Sequence, residues 1–214
     1  PSGGGKSTIA RLIPRFFDVQ EGAVLVGGQD VRSIPAAELM EQISFVFQEV
    51  HLFKKSIRDN IRAARPNATE EEILQAAQLA QCGDILEKIP GGLDAVIGAK
   101  GVYLSGGEMQ RIALARAILK DAPIVVLDEA SSFADPENEV KIQKAFEVLM
   151  KGKTVLMIAH RLSTVRRMDR ILVIKKGVVV EEGKHDELIE KGGVYASMWE
   201  EYQSAAQWKV GGEE

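Results

Sequence analysis

The chain predicts an α/β fold: a parallel core sheet with a block of helices inserted into it. Three observations carry this. The first eight residues, P-S-G-G-G-K-S-T, form a glycine-rich loop that runs into a helical pattern. Short apolar runs at 43–47, 124–127 and 154–159 each lead straight into a polar or charged residue, as strands buried on both faces of a parallel sheet do. Residues 53–120 carry helical periodicity with few strand signals, which reads as a helical subdomain between two stretches of core. The expected division is core at 1–52, helical subdomain at 53–120, and core with C-terminal helices at 121–214, all within one domain.

Taken in order, residues 7–16 form the helix after the loop, with Ile9, Leu12, Ile13 and Phe16 at helical spacing and Pro14 as a late irregularity. An apolar run at 23–26, a Gly27-Gly28 turn and a short helix at 36–41 follow, then the strand at 43–47, ending at Gln48. Thr69 with Glu72 fits a capping box, opening a helix whose apolar stripe is Ile73, Leu74, Ala77 and Leu79. Residues 105–119 form a strong helix with Met109, Ile112, Ala113 and Ile118 inward, beginning at Gly106 and Gly107. After the strand at 124–127, Asp135 caps a helix opened by Pro136 and running to about residue 150. The strand at 154–159 ends at His160. A hairpin across Gly177 and helices at 186–191 and 194–207 complete the chain.

Composition excludes several functions. The 214 residues, 45% of them hydrophobic, suit a globular core, and 27 basic against 31 acidic residues, net −4, give no general attraction to nucleic acid or an anionic membrane. No apolar run approaches the roughly 20 residues that span a bilayer. Cys82, the single cysteine, has no partner for an internal disulfide and fits a reducing cytoplasmic face, as a small apolar residue on a helix. His51 and His185 read as surface residues.

The chemistry begins at the loop. Glycines let consecutive backbone N–H groups turn around phosphate oxygens, a lysine neutralises the outer phosphates, and a hydroxyl holds Mg²⁺. Ser2, Gly3, Gly4, Gly5, Lys6, Ser7 and Thr8 supply these parts. The pattern's leading glycine would stand one residue before Pro1, so the sequence is expected to be a piece of a longer chain whose preceding strand lies upstream. At the end of the 124–127 run, Asp128 can hold Mg²⁺ through water and Glu129 can polarise a water for in-line attack on the γ-phosphate.

Leu104-Ser105-Gly106-Gly107-Glu108, followed by Met109-Gln110-Arg111, resembles the signature motif of the ATP-binding cassette (ABC) ATPases. The phosphate loop, Gln48 as the Q-loop glutamine, Asp128-Glu129 as Walker B and catalytic glutamate, and His160 as the switch histidine complete five motifs in the family's order. The resemblance implies a P-loop NTPase fold with a RecA-like core and an inserted helical subdomain. It also implies ATP and Mg²⁺ as ligands, and head-to-tail pairing with a second cassette, identical or not. Each ATP would then lie between Gly3–Ser7 of one cassette and Ser105–Glu108 of the other. In these terms Glu129, His160 and Gln48 are catalytic, Ser7, Gln48 and Asp128 hold the metal, and Asp135 reaches across the dimer.

Residues 53–61, 159–165 and 183–188 resemble the exporter-type half-transporters, in which the cassette follows six membrane helices on one polypeptide at the cytoplasmic face of the membrane. Residues 133–139 resemble a variant linked to iron-siderophore handling. Two positions depart from the family pattern: Ala134 replaces a leucine after Walker B, and Ala99 stands where a glutamate is common in the loop that touches the membrane domain. The alternative is an ABC ATPase of DNA repair, chromosome organisation or translation. It fits poorly, because fewer than about 100 residues without sustained heptads separate the phosphate loop from the signature.

Overall fold

Ile13 precedes a proline, a position that disfavours helical backbone, and the first helix ends there. In the computed structural model, which describes residues 4–47, 49–98, 102–128, 136–159 and 162–210, α1 is Lys6–Leu12. Arg15 then turns back with φ 57° and its N–H on the Leu12 carbonyl at 3.1 Å. The helix is therefore shorter than the 7–16 expected. Its apolar spacing also misleads: Ala10 is buried, whereas Ile9 and Phe16 are exposed.

The contacts divide the chain into two compact units, residues 1–11 with 158–214, and residues 12–157. In the second unit, β1 (Leu25–Val26) and β2 (Gln29–Asp30) pair antiparallel across Gly27 and Gly28. Both glycines have positive φ, as a two-residue hairpin turn requires. After α2 (Ala36–Gln42), β3 (Ile43–Val46) pairs in parallel with β4 (Ile124–Asp128), Ile43 opposite Ile124 and Val46 opposite Leu127. The strand order is β3-β4-β5, with β5 at Thr154–Ile158. Val125, Val126 and Leu127 are all buried, as a strand covered on both faces must be.

The helical stretch holds α3 (Ile57–Arg62), α4 (Glu70–Leu79), α5 (Gly83–Lys88) and α6 (Gly106–Lys120), and α7 (Pro136–Met150) follows β4. The Thr69–Glu72 capping box forms as expected. The α4 stripe shifts: Ile73, Ala76 and Ala77 are buried, while Leu74 and Leu79 are exposed. The α6 face is corrected too. Ile112 is buried, but Leu114, Ala115, Ala117 and Leu119 join it, whereas Met109, Ala113 and Ile118 are only half-buried. That helix is enclosed around most of its circumference, so no narrow stripe exists to be read. One apolar core joins residues of α3 to α7 with Val46, Val125 and Leu127.

The first unit has its own core of Ile171, Val173, Leu188 and Tyr195. After α8 (Leu162–Val165), β6 (Ile171–Lys175) and β7 (Val178–Gly183) form the expected hairpin, with Lys176 and Gly177 at positive φ. They are followed by α9 (His185–Glu190) and α10 (Val194–Val210). His185 is not a surface residue. It is buried, its Nδ1 lies 2.8 Å from the Tyr195 hydroxyl, and its ring meets Trp199 edge-on at 4.6 Å. It opens α9 beneath α10 and fills the gap between them. Among the described residues no helix is long and apolar enough to cross a membrane.

Candidate functional site

Gly5 has φ 90°, a backbone conformation that glycine adopts without steric cost, and its carbonyl accepts the Ile9 N–H at 3.0 Å to start α1. The neighbouring Gly4 is buried, and its carbonyl accepts the Gly177 N–H at 3.2 Å, fastening the loop to the β6–β7 turn within one unit. Lys6 and Ser7 are half-buried at the helix start and Thr8 is exposed. Ser2 and Gly3 lie outside the described residues, as do Gln48, Glu129, Asp135 and His160.

The second glycine turn belongs to the other unit. Ser105 is the N-cap of α6: its Oγ accepts the Glu108 N–H at 3.2 Å, and its own N–H donates to Glu108 Oε2 at 2.7 Å. This capping box satisfies Glu108 and leaves Gly106 and Gly107 as the first-turn N–H groups that the helix cannot pair itself. Glu108 is buried and also meets Lys88 at 3.1 Å. Burial alone would raise its pKa, but the Ser105 N–H and the Lys88 ammonium outweigh that and hold the carboxyl below its ordinary range. The two glycines differ in role. Gly106 is exposed, whereas a Cβ on the buried Gly107 would stand 3.1 Å from the Asn138 side chain, so its smallness lets α6 approach α7 closely.

Behind the capped turn at residues 105–108 sits an ionic network that sequence reasoning missed. Arg111 is 1% exposed, and its guanidinium grips Asp84 at 2.6 and 3.1 Å while also donating to the Gln81 carbonyl. Gln81 presents that carbonyl from a left-handed conformation, φ 60°, that closes α4. The Gln81 N–H bonds Gln78 O and the Cys82 N–H bonds Ala77 O, both at 2.9 Å, the Schellman pattern without its usual glycine. Asp84 also accepts Lys141 at 2.9 Å, and Lys141 reaches Glu137 at 2.6 Å, so one carboxylate ties α5 to α6 and α7. Burial raises Asp84, but Arg111 and Lys141 overcome it and bring its pKa down to about 2. No sequence signal marks the network, because the enclosure that singles out Arg111 among the charged residues of α6 is not legible from helical spacing. Cys82 is fully buried at the α5 N-cap rather than within a helix, and burial pushes its thiol up to about 12, which makes it unreactive.

Asp128 is 4% exposed at the C-terminal end of β4. Beyond β3, Phe47 stacks on Phe16 at 6.0 Å beside Phe45, and these rings line a groove of about 510 Å³ that includes Phe53 and Arg116. The segment from Phe53 to Ser56 is organised by the fully buried Asn60, whose side chain accepts from Phe53 N at 2.7 Å and donates to Phe53 O and Ser56 O at 3.0 and 2.9 Å. Arg116 donates to Asn60 O at 2.8 Å and lies over the Phe53 ring.

The family model described as ABC transporter matches residues 1–132. This chain belongs to the ABC transporter family. As an ABC cassette it is 48% identical, over 93% of its length, to an ATP-dependent lipid A-core flippase of Desulfotalea psychrophila (strain LSv54 / DSM 12343). It is 50% identical over 92% of its length to the flippase of the same name from Escherichia coli (strain K12). A solved bacterial Atm1-family ABC exporter with ATP bound superimposes with TM-score 0.86 at 40% identity over 94% of this chain. The chain spans about a third of the length of these relatives, 35% of the first, 34% of the second and 35% of the third. Its α/β architecture is that of an ABC ATP-binding domain. None of these names supports the reading in DNA repair, chromosome organisation or translation.

Proposed function

We propose that this cassette binds and hydrolyses MgATP and, paired head to tail with a second cassette, powers movement of a substrate through a membrane domain on the same full-length polypeptide. The observation that carries the reading is near-half identity, across more than nine-tenths of the chain, to proteins named ATP-dependent flippases. The cassette would work at the cytoplasmic face of that membrane, with residues 53–120 as its helical subdomain.

The donor set fits the metal, since Ser7 hydroxyl and Asp128 carboxylate are hard oxygen ligands of the kind Mg²⁺ takes. Bound there, Mg²⁺ would supply neutralisation of phosphate charge. Lys6 offsets the outer phosphates, and the loop N–H groups orient them. Asp128 positions an oxygen from the end of a rigid buried strand, and Gln48 and His160 contact the γ-phosphate side. Glu129 takes the proton of the attacking water. Gly106 and Gly107 offer the open N–H groups of the first α6 turn to phosphate on the neighbouring cassette.

Glu129→Gln in the full-length protein is the direct test. It keeps the hydrogen-bonding shape but removes the base, so ATP binding persists while turnover falls by at least about 100-fold. Hydrolysis at the wild-type rate would remove Glu129 from its assigned role.

A further inference from the structure

Glu108 puts a carboxylate in the first turn of α6, beside the two N–H groups assigned above to phosphate. A fixed negative charge there opposes the approach of another anion. The carboxylate is tightly held, with Oε2 on the Ser105 N–H at 2.7 Å and Oε1 on Lys88 Nζ at 3.1 Å. Glu108 is 7% exposed, so little water screens it. Lys88 is the last residue of α5, a separate helix of the same unit, and two-thirds of its side chain is exposed. A glutamine would close the capping box as well as a glutamate does. What the carboxylate adds is charge, and what Lys88 adds is the cancellation of that charge.

We propose that Lys88 is a positioning residue for nucleotide: by neutralising and orienting Glu108, it lets the first turn of α6 present Gly106 and Gly107 to the phosphates of ATP held by the neighbouring cassette. This rests on the reading of the signature turn given above.

The test is ATP hydrolysis against ATP concentration in the full-length protein. Lys88→Met exposes the phosphates to an uncompensated carboxylate. KM for ATP rises roughly three- to fivefold at low ionic strength while kcat changes by less than about twofold, and the rise shrinks at high salt. Adding Glu108→Gln to Lys88→Met returns KM to within about twofold of wild type, because the cap remains and the charge is gone. Loss of fold alone would lower the melting temperature and would not be reversed by removing the carboxylate. An unchanged KM in Lys88→Met, or a rise that Glu108→Gln fails to reverse, overturns the proposal. Ser105→Arg separates the two levels, since it blocks the turn itself. Wild-type hydrolysis in Ser105→Arg would overturn the head-to-tail reading and this role with it. An inactive Ser105→Arg beside an unaffected Lys88→Met would overturn the Lys88 role alone.

Discussion

At residues 4–8 the chain turns because Gly5 takes φ 90°, whereas at residues 105–108 neither glycine has positive φ and the turn is closed by side chains. The first loop needs glycine for its backbone conformation. The second needs it for space: Gly107 sits against Asn138, while Ser105 and Glu108 cap each other and Arg111, Asp84 and Lys141 brace the helix behind. Two loops of similar composition can thus hold their turns for unrelated reasons. A substitution that looks equivalent in the sequence, glycine to alanine, should fail differently in each.

The largest effect is expected at Gly5. Alanine there meets no close atom, the nearest being Gly177 Cα at 3.8 Å, so its cost is conformational, about 1–2 kcal/mol if the loop keeps its shape. A loop that relaxes to relieve that strain misaligns its N–H groups, and MgATP binding then drops by at least about tenfold. Titration of nucleotide onto Gly5→Ala together with a denaturant melt measures this, and unchanged affinity with unchanged stability would show that the loop does not depend on its backbone conformation.

Gly107→Ala should cost about 1 kcal/mol by crowding alone. Because the crowding atoms are the Asn138 Cβ and Cγ, both at 3.1 Å, a double-mutant cycle with Asn138→Ala, which removes Cγ but keeps Cβ, should recover part of that loss, and one with Asn138→Gly most of it. No partner truncation should rescue Gly5→Ala. Additivity at Gly107 and Asn138 would erase the distinction between the two turns.

How much of this was legible in the sequence follows from the same contrast. The β3, β4 and β5 strands and the β6–β7 hairpin are readable, because continuous apolar runs and glycine turns are local signals, whereas at the first hairpin only the apolar run and the Gly27-Gly28 turn are, since Gln29–Asp30 carries no apolar pattern. The Ser105–Glu108 and Thr69–Glu72 caps each lie within four residues, but only the second stands out in the sequence, since the glycines after Ser105 point first to phosphate. Burial around α6 is not readable: a helix enclosed on most sides shows no stripe, and the periodicity of Met109, Ala113 and Ile118 is one that its surroundings do not impose. His185 was misplaced because its burial depends on Tyr195 and Trp199, ten and fourteen residues further on. Lys88, Asp84 and Asn60 act through partners on other elements, and no spacing rule marks such residues. Six of the site residues, Ser2, Gly3, Gln48, Glu129, Asp135 and His160, lie outside the described residues and rest on the motif order alone.

The smallest predicted effect sharpens the comparison most, because acid should weaken one turn through groups that the other does not use. Asp84 is held down at about 2 against an ordinary 3.8, and Glu108 is also held below its ordinary range. A carboxylate whose folded pKa is depressed contributes stability that is fully present above its unfolded pKa and is lost as pH falls toward the folded value. The Asp84 contribution should therefore be constant from about pH 7 to about pH 5 and decline below about pH 4. Asp84 is 44% exposed at its side chain, so after solvent screening the contribution is under about 1 kcal/mol. Denaturant melts of wild type and Asp84→Asn should differ by a fixed amount near neutrality, with the gap narrowing below about pH 4. A gap that stays constant to about pH 3 would mean that Arg111 is held by its buried surroundings and the Gln81 carbonyl rather than by the Asp84 charge.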